Sequence, residues 1–240
     1  MRIFGDLTAI AVLCIAGGAA QATTVGVTVT VEADGKPLPS AVVALRSAAG
    51  EAIALSRRTA LTAVVDQRGK QFVPHILAVE VGTAVYFPNS DNIRHDVYSF
   101  SPAKTFELPL YAGTPAKPVL FDKAGVVVLG CNIHDWMLGF IDVVPTPYFA
   151  QTNSAGVATI SDVPAGHYKV TIWAPRIVAP GHTIEEAVDV AGVRLTRHYA
   201  VVLGQEPAHM HHRPDPSGAL NRLKQKFGRF RQTPGSGLPR

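Results

Sequence analysis

The sequence predicts an all-β protein built of more than one sandwich, on three observations. Apolar residues alternate at period two, most clearly at Val25, Val27, Val29 and Val31. Short β-rich runs recur at even spacing, punctuated by Gly, Pro, Asn and Asp. No long amphipathic helix is legible between residues 23 and 203. With 240 residues the chain suits one large domain or two small ones, and 47% apolar against 17% charged residues excludes wholesale disorder.

Taken in order, the chain opens with a secretory signature. Arg2 supplies a positive n-region, residues 7–16 a short apolar run, and Ala20-Gln21-Ala22 a small-x-small cleavage pattern. Residues 1–22 are therefore expected to be removed before Thr23, placing the protein in the periplasm. A first strand over 25–31 ends at the turn signal Asp34-Gly35, and a second covers 41–45. Residues 48–63 are Ala-rich and have room for a helical turn or two. Further strands are expected at 76–81, 83–87, 97–100, 119–121, 126–129 and 140–144.

A second β segment begins after Pro145-Thr146-Pro147, with strands at 157–160, 168–173, 187–190 and 198–203. Within it Tyr168, Val170 and Ile172 share one face, and Lys169, Thr171 and Trp173 the other. This segment is too short for a sandwich with two sheets of its own. From Pro207 the composition turns to His, Pro, Arg and Gly. Leu220, Leu223, Phe227 and Phe230 recur at helical spacing among basic residues there. A solvated tail is the simpler reading; a short basic helix making weak contact with a membrane surface is the alternative. The pI near 9.2 would suit a nucleic-acid binder, but the charge is thin until the tail, so nucleic acid is not an expected partner.

The chemistry concentrates in Cys131-Asn132-Ile133-His134-Asp135-Trp136-Met137, where a thiol, an imidazole and a thioether fall within seven residues. Loss of Cys14 with the signal leaves Cys131 as the one cysteine of the exported protein. In an oxidising compartment it is a buried inert thiol, an intermolecular disulfide or a metal ligand. A second imidazole, His95, follows Phe87-Pro88-Asn89-Ser90-Asp91 upstream. Two His, one Cys and one Met are the soft, mixed set that copper prefers in an electron-transfer site. Zinc stays open, because it also accepts Cys and His, although Met is a poor zinc ligand. His75, His167, His182 and His198 show no partner pattern.

Residues 72–144 resemble a small blue copper protein, a cupredoxin of the plastocyanin or amicyanin kind. The matching residues are Phe72-x-Pro74, Val81-Gly82-Thr83-x-Val85, Phe87-x-Asn89, Asp91, His95 and Cys131-x2-His134-x2-Met137. The wording of 87–91 and 130–137 is similar to periplasmic proteins named as methylamine utilization proteins. The resemblance implies a Greek-key sandwich with one type 1 copper. It makes His95, Cys131 and His134 the equatorial ligands and Met137 the axial one. Asn89, Asp96 and Asn132 would surround those ligands. Asp96 stands where the family usually carries Asn, and Asn132 where it often carries a hydroxyl residue. The electron-transfer surface would be His134, Trp136 and Leu138.

Residues 152–173, with Gly156, Pro164-Ala165-Gly166 and Tyr168, resemble the later strands of a carboxypeptidase-regulatory-like, transthyretin-type sandwich. Residues 25–45 resemble that family's first two strands. The implied arrangement is a smaller Ig/transthyretin-like sandwich split around the copper domain. Residues 23–65 would be its N-terminal segment, 66–146 the cupredoxin domain, 147–205 the second β module and 206–240 the tail. The expected function is single-electron carriage between redox protein partners. Copper storage or delivery, or a structural β module with a degenerate site, are the alternatives. No nucleophile elbow, His-Glu-x-x-His or phosphate loop appears, and a four-ligand site leaves no open position for substrate, so an enzyme is not expected.

Overall fold

The computed structural model describes residues 24–49, 61–115 and 117–205. The signal region, most of the Ala-rich stretch and the tail fall outside the described residues. The described chain holds eighteen strands and one short 3-10 turn at Pro180–His182. The first three are β1 (Thr24–Ala33), β2 (Lys36–Pro37) and β3 (Val42–Ser47). There follow β4 (Thr62–Val64), β5 (Asp66–Gln67), β6 (Phe72–Val73), β7 (Ile76–Glu80), β8 (Thr83–Tyr86) and β9 (His95–Ser101). Next come β10 (Lys104–Tyr111), β11 (Val119–Phe121), β12 (Gly125–Gly130) and β13 (Leu138–Val144). The last are β14 (Phe149–Gln151), β15 (Val157–Pro164), β16 (Gly166–Trp173), β17 (Thr183–Val190) and β18 (Leu195–Val201). No helix among the described residues is long and apolar enough to cross a membrane.

The two ends of the described chain build one sandwich together. In one sheet β1 lies between β15 and β18, with Val27 opposite both Ile160 and Leu195. The other sheet runs β14-β3-β16-β17, with Val43 opposite Ile172 and Leu45 opposite Val170. The period-two pattern explains the packing. Val27, Val29 and Val31 all point inward and are fully buried, against Val43, Leu45, Ile160, Val170 and Ile172. Fully burying one such side chain contributes roughly 1.5–3 kcal/mol. Thr152 ties the halves further, its hydroxyl accepting from Ala41 N–H (2.8 Å) and donating to Leu38 C=O (2.7 Å).

The chain between β3 and β14 forms a second sandwich. A five-stranded sheet, β10-β9-β12-β13-β7, faces a three-stranded one, β11-β8-β4. Val79, Val85, Phe87, Val97, Phe121, Val127, Leu129 and Ile141 fill the space between, and Cys131 and Met137 belong to the same core. Strand β10 differs from the sequence expectation, which left 104–111 without a strand. Pro109 lies inside it, and its register with β9 breaks between Leu108 and Tyr111. Strands β17 and β18 each begin ahead of the expected residues, at Thr183 and Leu195.

The two sandwiches meet through a small apolar cluster of Val42, Ala44, Ile76, Phe140, Val144 and Trp173. The rings of Phe140 and Trp173 meet edge to face at 5.9 Å between centroids. This explains why Trp173, on the polar face of an alternating strand, is buried. Gln151 bridges the seam, accepting from Ala78 N–H (3.2 Å) and donating to Ile76 C=O (3.1 Å).

Candidate metal centre

Three connections converge at one end of the second sandwich: the β5–β6 turn, the loop before β9, and the loop joining β12 to β13. Strand β9 starts at His95, so its imidazole is fixed by the sheet and fully buried. Strand β12 stops at Gly130, leaving Cys131 as the first loop residue. The loop then turns back, with Met137 N–H donating to His134 C=O (2.8 Å), and enters β13 at Leu138. One tight loop therefore holds Cys131, His134 and Met137 against His95.

His95, Cys131 and His134 each offer a ligand atom, and these lie within 4.8 Å of one another. His95 Nδ1 is 3.1 Å from His134 Nδ1, and Cys131 Sγ is 3.9 Å from His134 Nδ1. Met137 is buried in the core that also packs Cys131. His95 Nε2 is 2.8 Å from Asp91 Oδ2. An ionised carboxylate only accepts, so the neutral His95 ring carries its proton on Nε2 and turns the Nδ1 lone pair towards His134 and Cys131. Two ring nitrogens and a sulfur converging on one point are, once deprotonated, a donor set that suits a soft or borderline cation.

The sulfur sits beside a carboxylate. Cys131 Sγ–H donates to Asp96 Oδ1 (3.0 Å), which also accepts from Asn132 N–H (2.8 Å), while Asn132 Nδ2 donates to Asp96 Oδ2. Burial pushes the Cys131 thiol pKa up, and the bond to Asp96 adds to the rise. Burial, then the neighbouring His95 and Lys70, hold His134 below the ordinary imidazole value. Burial also pulls the Asp91 carboxyl upward, but hydrogen bonds from Lys70 N–H, His95 and Gly69 N–H outweigh it and keep its pKa below the usual range.

Asn89 shapes the loop that carries Asp91. Its Nδ2 donates to Ile93 C=O and Tyr111 C=O (both 2.9 Å), and its Oδ1 accepts from Asp91 N–H (3.0 Å). Behind it Tyr111 Oη donates to Phe87 C=O (2.7 Å), and burial pushes its pKa up to about 12. His134 is half-buried, and the ring of Trp136 lies 5.2 Å from it, 54% exposed. Leu138 is partly buried against the Phe140–Trp173 cluster, because β13 turns it towards the first sandwich. Ile133, which sequence reasoning passed over, is half exposed. Asp91 was also missed as a partner of His95; its spacing of four residues from that histidine was the available signal.

No protein-family model matches the chain, and no curated protein matches it. Solved structures do resemble part of it. A purple cupredoxin from Nitrosopumilus maritimus is 23% identical over 34% of this chain and 99% of its own, at a TM-score of 0.31. A mutant of amicyanin in its Cu(I) form is 22% identical over 44% of this chain and 99% of its own, at 0.32. A Cu-containing nitrite reductase from Thermus scotoductus SA-01 is 26% identical over 48% of this chain and 28% of its own, at 0.33. These are likenesses of part of the chain, and the case for the centre rests on its own residues.

Proposed function

We propose that this chain is an exported type 1 copper protein of the cupredoxin kind, carrying single electrons between redox protein partners. The observation that carries the reading is the convergence of His95 Nδ1, His134 Nδ1 and Cys131 Sγ, with Met137 buried beside them. These four residues would hold the metal, and bound copper supplies a one-electron couple between Cu(I) and Cu(II). The chain's part is to keep that set rigid. His95 is locked by β9 and Asp91, and Cys131 follows directly on β12, so little has to move between oxidation states. Half-buried His134, beside exposed Trp136, is the edge through which a partner would exchange electrons. A transient contact of that kind needs only a small surface.

In this reading residues 66–146 are the copper domain, set into a carboxypeptidase-regulatory-like sandwich made by 23–65 and 147–205. The pairing of β1 with β15 and β18 supports that division. Storage or delivery of copper is the second reading, favoured by the soft-ligand run His209-Met210-His211-His212.

The test is copper titration of the full chain, with visible and EPR spectra. An intense thiolate-to-copper band at one copper per chain, absent in Cys131→Ser, is expected. Exchange with a redox protein partner left unaffected in His134→Ala would show that the port is misassigned. Copper bound without the thiolate band, or only through the tail, would move the assignment to copper handling.

A further inference from the structure

The Asp91 carboxylate is held from both sides. Its Oδ1 accepts from Gly69 N–H (2.6 Å), and its Oδ2 accepts from Lys70 N–H (2.9 Å) and faces His95 Nε2 at 2.8 Å. Gly69 and Lys70 are the two central residues of the β5–β6 turn, with φ of 61° and 58° and Arg68 N–H donating to Gln71 C=O (3.0 Å). Positive φ at both positions is the two-residue hairpin turn whose twist suits paired strands. It also turns two successive N–H groups to one side, where they make a small anion cradle. Lys70 has a side chain, so it occupies that region at some cost, and the carboxylate in the cradle offsets it. Asp91 N–H, bonded to Asn89 Oδ1, fixes the backbone that carries the carboxylate.

A simple brace between two loops would be complete with the bonds to Gly69 and Lys70. The third bond goes instead to the ring of a proposed ligand, and it has two consequences. It selects the tautomer with Nδ1 free; the other tautomer would put an N–H where the metal is to sit. It also draws the Nε2 proton towards a negative charge, making Nδ1 a stronger donor. A stronger nitrogen donor favours Cu(II) over Cu(I), because the divalent ion prefers nitrogen.

We propose that Asp91, anchored by the Gly69–Lys70 turn, is a positioning residue that fixes the His95 tautomer and lowers the reduction potential of the centre. The part concerning the potential rests on the copper reading above; the part concerning the tautomer does not.

The experiment has two arms on the full chain. In the metal-free protein at mildly alkaline pH, ¹⁵N NMR of the histidine rings reads the tautomer. Parent protein is expected to carry the His95 proton on Nε2, and Asp91→Ala to populate both tautomers. A parent ring protonated on Nδ1 overturns the proposal, whatever the variants do. In the copper-loaded protein, Asp91→Asn keeps an acceptor for His95 but removes the charge. Loss of an outer partner to a ligating His typically costs 10–100-fold in metal affinity. If that loss falls on Cu(II), the couple moves at least tenfold towards Cu(I), a rise of about 59 mV for one electron. Asp135→Asn removes a charge next to His134 in sequence and is expected to shift the potential much less. An unchanged potential in Asp91→Asn, or an equal shift in Asp135→Asn, overturns the tuning role. A parent protein without the thiolate band overturns the copper reading and the potential with it, while the NMR arm still decides the tautomer.

Discussion

Gly130 gives the sharpest steric prediction near the centre. It ends β12 directly before Cys131 and lies opposite Leu138 on one side and Tyr98 on the other. A Cβ placed there would lie 2.6 Å from Tyr98 Cζ and 2.7 Å from its Oη. Ordinary contact starts at 3.4 Å, so in Gly130→Ala the ring must withdraw by about 0.8 Å or β9 and β12 must part. The backbone at 130 is not left-handed, so the cost is steric alone. Overpacking costs about 1–3 kcal/mol, and Tyr98 is only half-buried, which places this change at about 1–2 kcal/mol. Urea unfolding of the metal-free parent, Gly130→Ala, Tyr98→Ala and the double variant measures it. Removing the ring first should make the alanine nearly neutral, a coupling of about 1 kcal/mol or more. The thiolate band of the copper-loaded single variant should weaken and recover in the double. Additive effects of the two changes, within about 0.5 kcal/mol, would refute the reasoning.

Three further outcomes are expected. Thr152→Val leaves the buried Ala41 N–H and the Leu38 C=O without their partner, at about 2–4 kcal/mol, whereas Thr152→Ser keeps the hydroxyl and should cost about 1 kcal/mol; a valine variant as stable as the serine one in urea sinks this. Burial pushes the Asp142 carboxyl up to about 6, with Arg46 pulling the other way, so the folded state keeps a proton that the unfolded chain has released. Stability then falls as pH rises from about 4 through 6, by at most roughly 3 kcal/mol, and Asp142→Asn should melt higher than the parent at pH 8 but not at pH 4; an equal difference at both would contradict it. In Asp96→Asn the metal-free Cys131 thiol loses the carboxylate that adds to its raised pKa, though burial, the larger cause, stays. Alkylation by iodoacetamide should be faster than in the parent, and a slower reaction would show that Asp96 does not disfavour the thiolate.

The centre was legible where its residues are close in sequence. Cys131, His134 and Met137 share one loop, and chemistry alone marks that set. His95 was legible because it follows a strand-like run, and the structure brings its ring nitrogen 3.1 Å from that of His134. The cradle for Asp91 was not legible. It depends on Gly69 and Lys70, 21 and more residues away, adopting a turn that a lysine does not announce. Strand β1 was plain from its alternating valines, but that its neighbours are β15 and β18 is a long-range fact that periodicity cannot carry. Strand β10 was hidden by Pro109, which argues against a strand wherever the ladder needs its N–H. That Leu138 also packs against the first sandwich was not legible, because that contact joins β13 to residues of β3 and β16 far away in sequence.

The central place of β1 in its sheet sets an order of events. It is the first described strand to be synthesised, yet Val27 must wait for Ile160 and Leu195, more than 130 residues later. The strands between β3 and β14 pair among themselves, so their sandwich can close without waiting for the last strands. Its closure draws β3 and β14 together, shortening the effective loop that β1 must span to find its partners. Such distant pairing is slow, and an apolar strand with open edges is a hazard while it waits. The part that carries the candidate centre thus needs none of the last strands, whereas the sandwich that holds it is complete only when they arrive.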